Sequence, residues 1–115
     1  ADWAPSFLPE GYIESKRTDL GTLVEITYDC KDLDMWITFS YLRLAEGSGF
    51  DLDNEHHVVT EISVQGMDGY LYTASEDKLN AVVWFNETLR YGFLLSSRLP
   101  PDTLLEIAES VNTKS

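Results

Sequence analysis

The sequence predicts an α+β fold: one curved antiparallel sheet of about six to seven strands, with a C-terminal helix packed on one face. Three observations carry this. Apolar residues alternate with polar ones along most of the chain. The segments so patterned are separated by short turn sequences, and parallel neighbours would need crossovers of about a dozen residues or more. The period changes from 2 to 3.6 only in the last quarter, after Leu99.

The opening stretch, Trp3–Tyr12, holds Pro5, Pro9 and Gly11 and is not a regular helix. Its apolar residues suggest a segment pinned onto the core. A first strand is expected over 12–17, and Asp19-Leu20-Gly21 is turn chemistry. A second strand, 22–29, puts Val24, Ile26 and Tyr28 on one face. After Lys31–Asp34 a third strand, 35–44, alternates cleanly. Met35, Ile37, Phe39 and Tyr41 point one way, and Trp36, Thr38, Ser40 and Leu42 the other.

The Gly-rich polar stretch 46–55 is a long loop. A strand over 57–65 follows, with Val58, Ile62 and Val64 on one face. Gly66–Gly69 is expected to turn the chain into a short strand, Tyr70–Ala74. Residues 75–78 turn again, and two strands over 79–86 and 89–97 complete the sheet. In the helix, Pro101 fits the first position and Asp102 suits the positive N-terminal end. Leu104, Leu105, Ile107, Ala108 and Val111 form its apolar stripe. One helix cannot cover both faces of a sheet. Trp36, Leu42, Leu71, Trp84 and Leu94 fall on the minority face of their strands. Either the sheet curls, or Trp3–Leu8 covers that face, or it binds something.

The chain has 115 residues, the size of one domain, with no linker that divides it. With 20 acidic against 8 basic residues its net charge is −12, which argues against nucleic acid and anionic membrane surfaces as partners. The plain reading of that charge is a soluble, highly charged surface, and a cationic partner, such as a polybasic tail or cell-wall polymer, is the alternative. Cys30 is the only cysteine, so no internal disulfide forms. Acidic neighbours favour its thiol form, which makes it structural. No run approaches the ~18 apolar residues that span a bilayer, and no signal peptide is recognisable. The start at Ala1-Asp2-Trp3 reads as a mature or trimmed fragment.

Candidates for chemistry are few. Asp51, Asp53 and Glu55 stand at alternate positions before His56 and His57, as carboxylates do in a calcium loop. An EF-hand needs Gly at the sixth position and Glu at the twelfth, and here those are His56 and Ile62. Asp51, Asp53, Glu55 and His57 are therefore weak metal candidates in a solvated acidic loop. No nucleophile elbow or phosphate loop is present. Trp36 and Trp84, with Leu42 and Leu71, could form an aromatic platform for a ligand if their strands are neighbours. The same residues could equally be cross-strand packing. The expectation is a non-catalytic chain that needs no cofactor.

The order of the pieces resembles a known family. Leu8-Pro9-Glu10-Gly11-Tyr12 is similar to its W-L-P-E-G-Y opening. Glu61–Leu71 is similar to its E-V-T-V-N-G-x-E-G-Y-L segment. Val83-Trp84-Phe85, Tyr91–Leu95 and Leu104–Val111 resemble its closing L-W-W, Y-x-L and L-L-K-I-A-E-S-L pattern. The family is the bacterial domain of unknown function 4367, common in Gram-positive bacteria. Here Pro100 stands where the family usually has a Ser helix cap, and Leu8 or Trp3 takes the place of the opening tryptophan. The resemblance implies an extracytoplasmic C-terminal part of a membrane-anchored protein, and some members are labelled anti-sigma factors or lipoproteins. It brings no catalytic residues. The expected role is a sensor or interaction domain, monomeric or weakly dimeric, for an unknown protein or cell-envelope ligand. The alternative is a lipid or small-molecule carrier with an apolar pocket under the sheet.

Overall fold

A computed structural model describes residues 2–44, 57–74 and 79–114. Its elements in chain order are β1 (Asp2–Pro5), β2 (Ile13–Asp19), β3 (Leu23–Cys30), β4 (Met35–Arg43), β5 (His57–Val64), β6 (Met67–Ala74), β7 (Asn80–Asn86), β8 (Tyr91–Ser97), α1 (Pro101–Glu109) and β9 (Val111–Lys114). The expected antiparallel sheet is present. It has seven strands in the order β2-β3-β4-β8-β7-β6-β5, and β1 and β9 pair separately. Every pairing is antiparallel. Two edges result, β2 at one side and β5 at the other.

Register decides which side chains share a face. Ile26, Phe39, Leu95 and Val82 stand in one row across β3, β4, β8 and β7. Tyr41, Phe93 and Trp84 form the next. These rows make the core face. Phe93 and Trp84 stack at 5.2 Å, and Phe39 and Phe93 at 6.3 Å. Helix α1 lies on this face against β7, β8 and β5, and buries Leu104, Ile107 and Ala108. Burial of that apolar stripe is what holds so short a helix.

The opening segment does more than pin to the core. Asp2–Pro5 forms β1, and Val111 leaves the helix stripe to begin β9, opposite Pro5. The helix ends at Glu109, and the Ser110 backbone N–H donates to Ile107 O at 3.0 Å. Ser6 Oγ and N both donate to Ser110 O, at 2.8 and 3.0 Å. Trp3 lands edge-on against Phe93 at 4.9 Å. The β1–β9 pair thus joins the helix as a second layer on the core face.

The β5–β6 turn also differs from expectation. It is Gln65-Gly66, with φ of 52° and 80°, the two left-handed residues of a type I′ hairpin. Gly69 is no turn residue. It lies inside β6 opposite Trp84, where the two strands approach too closely for a side chain. Gln65 then latches the turn to the helix end: its Nε2 donates to Val111 O at 2.7 Å and to Ala108 O at 3.2 Å.

Candidate functional site

The expected platform divides between the two faces of the sheet. Trp36 and Leu42 project from β4 on the face away from α1, as alternation requires. Trp84 is on the opposite, core face and fully buried, so it contributes nothing to that platform. Leu71 shares Trp84's face, opposite Val82, and packs against the core. The strands of Trp36 and Trp84 are not neighbours either, since β8 runs between them. The reason is that β7 is apolar on both faces: Ala81, Val82, Val83 and Trp84 are all buried. Alternation therefore cannot say which of its residues look inward.

The outer face has its own members. Ser40, Leu94, Val83, Tyr70 and Glu61 form one row across β4, β8, β7, β6 and β5. Thr38, Ser96, Ala81, Tyr72 and Val59 form the next. Leu42 and Phe85 flank Gly92 in a third. Leu94 is on this face, as expected. Trp36 and Tyr70 keep 38% and 40% of their surface exposed, and Val59 keeps 43%. Among the described residues, no second layer covers them as α1 covers the core side. Tyr70 escapes the sequence reading because β6 is expected to begin there, and Val59 escapes it because β5 is read from Val58, Ile62 and Val64 alone. Starting the alternation at Met67 puts Met67, Gly69 and Leu71 inward and Asp68, Tyr70 and Tyr72 outward.

Local bonds hold this face in place. The Arg98 guanidinium lies 5.7 Å from the centre of the Trp36 ring, within reach of a cation–π contact. Ser97 Oγ donates to Trp36 O and accepts from Leu99 N, both at 3.1 Å. Asn80 Nδ2 donates to Leu99 O at 2.9 Å while its Oδ1 accepts from Ala74 N at 2.8 Å. The start of the helix and the β6–β8 ends are thus tied to one side chain.

Of the metal candidates, Asp51, Asp53 and Glu55 lie outside the described residues, as does His56. His57 opens β5, its Nε2 2.9 Å from Leu79 O and its ring edge-on to Tyr72. Among the described residues, no three His, Cys, Asp or Glu side chains gather to hold a metal. Cys30 is buried, and a side chain on Gly11 would lie 3.0 Å from its Sγ.

Two tyrosines have altered acidity. Burial pushes the Tyr28 hydroxyl up, with the Glu14 carboxylate adding to the effect. Burial also raises Tyr12, with a smaller contribution from Cys30. Both shifts follow from the cost of placing charge away from water. Arg17 pairs with Glu14 at 3.4 Å in an exposed setting, which stabilises the chain little.

Among the described residues no helix is long and apolar enough to cross a membrane. No curated protein matches the chain. The family model described as Domain of unknown function (DUF4367) matches residues 2–111, nearly the whole sequence, and the chain belongs to that family.

Proposed function

We propose that this chain is a non-catalytic sensor or interaction domain, carried outside the cytoplasm by a membrane-anchored regulatory or lipoprotein-like parent. One observation carries the interaction reading. The two faces of the sheet are treated differently: the core face is filled and covered, and the outer face presents Trp36, Tyr70 and Val59 to the surroundings. Exposed aromatic side chains are the kind of residue that protein interfaces use as anchors.

The carrier alternative asks for space between sheet and helix. Phe39, Trp84, Phe93, Leu95, Leu104 and Ile107 occupy that space, each fully buried. That packing favours the interaction reading. The extracytoplasmic placement and the anchored parent rest on the family likeness alone.

Cross-linking in the native host tests the interaction reading. A photo-reactive residue at Trp36 or Tyr70 is expected to trap a discrete protein adduct. The same group at Glu87, in the β7–β8 turn, is expected to trap none. Equal labelling from all three positions would remove the outer face as an interaction surface.

A further inference from the structure

The two edges of the sheet are unlike. β2 carries Glu14, Lys16, Arg17 and Asp19, and its register with β3 shifts between Glu14 and Lys16. Charges and a bulge are the usual defences of an edge strand against a stray partner. β5 pairs with β6 without a register shift, and from Val58 to Val64 its one charge is Glu61. It reads Val58-Val59-Thr60-Glu61-Ile62, with Val58 and Val59 exposed at 69% and 43%. Among the described residues, no strand pairs with its far side.

The hairpin turn fixes which backbone groups face that side. In a two-residue type I′ hairpin, the residues flanking the turn, Val64 and Met67, exchange both hydrogen bonds. Alternate pairs do the same, so Ile62, Thr60 and Val58 spend their N–H and C=O groups on β6. Val59, Glu61 and Ser63 point theirs away from the sheet. That is a ready ladder for one more strand.

Beside the ladder, on the outer face, Glu61 stands opposite Tyr70 and Ser63 opposite Asp68. These residues line a cleft of about 460 Å³. Two carboxylates flanking an aromatic ring suit a lysine or arginine side chain. A second copy of this chain would bring another net charge of −12 to the same edge, which opposes self-pairing.

We propose that the free edge of β5 takes up an extended basic segment of a partner protein by strand addition. The backbone of Val59, Glu61 and Ser63 supplies the ladder. The added strand's outward residues, Lys or Arg, reach Glu61 and Asp68. Its alternate, apolar residues lie against Val58 and Ile62. This inference rests on the interaction reading above and names its partner's chemistry.

The test uses the full chain and a synthetic peptide of about ten residues that alternates lysine with valine. A peptide of equal charge interrupted by proline is the control. Amide exchange is followed by NMR. Binding of the alternating peptide should slow exchange at residues 59, 61 and 63 and leave 58, 60 and 62 unchanged, and the control should not bind. Val59→Pro removes only an outward N–H, so melting should hold while affinity falls about tenfold or more. Glu61→Gln should weaken binding severalfold and flatten its salt dependence.

Amides 59, 61 and 63 already protected in the free chain would overturn the proposal. So would equal binding of both peptides, or a dimer formed through this edge. If Val59→Pro unfolds the chain, the exchange pattern of the unaltered chain still decides. A partner cross-linked from Trp36 whose binding ignores Val59→Pro would remove this proposal and leave the interaction reading standing.

Discussion

Gly69 stands directly opposite Trp84 across β6 and β7, and a side chain at that position would collide with both Trp84 and the Val83 carbonyl. A Cβ built on Gly69 would lie 2.9 Å from Trp84 Cβ. The contact is backbone and Cβ, so no flexible side-chain end can move aside. Gly69→Ala is expected to cost about 1–3 kcal/mol, read as a lower urea midpoint. Trp84→Ala at the same contact should cost about 3–5 kcal/mol.

Gln65 ties the β5–β6 turn to the end of the helix. Its side-chain amide donates to Ala108 O and Val111 O, and its backbone N–H donates to the Glu109 carboxylate at 3.1 Å. Gln65→Ala strips two donors from half-buried carbonyls. It should lower stability by about 1–3 kcal/mol and speed amide exchange in β9 more than in β3.

Alkaline pH should weaken the fold. Tyr12 and Tyr28 both have hydroxyls held above their ordinary value of 10.0, chiefly by burial. The folded state thus favours their neutral form. Their contribution is full below pH 10 and is lost as pH rises through the raised values. Among the described residues the Tyr12 hydroxyl is buried without a hydrogen-bond partner. Tyr12→Phe should therefore be neutral or mildly stabilising at pH 7, and should lessen the alkaline loss seen in a melting series.

The helix start has room for improvement. Pro100 precedes α1 in an extended conformation and offers no side-chain cap. Pro100→Asp would add a cap of about 1 kcal/mol and give up about 0.4–1 kcal/mol of unfolded-state restriction. The expected result is a melting temperature equal to or slightly above that of the unaltered chain. A clear drop would mean that the proline ring itself packs.

Much of the sheet was legible because β3 and β4 each bury one face, so period 2 shows plainly at Val24–Tyr28 and Ile37–Tyr41. The order of strands was not, since nothing local says that β4 pairs β8 rather than β5. Gly69 misled because glycine marks turns and close approaches alike, and the turn itself sits at Gln65-Gly66. β1 and β9 were hidden for a different reason. Pro5 at its end and Pro9 just beyond mask the first, and Val111 continues the helix stripe in register. Of the site, Trp36 and Leu42 were placed correctly by alternation. Trp84 was not, because a central strand with two apolar faces carries no alternation to read.

The central claim is that the space under the sheet is core and that, as proposed above, a protein partner is met at the outer face and the β5 edge. Native mass spectrometry of the domain produced in its own host tests it most directly. The account predicts the bare chain mass, with nothing bound beneath Phe39, Trp84 and Leu104. A lipid or small molecule that co-purifies one to one would contradict it and make the domain a carrier.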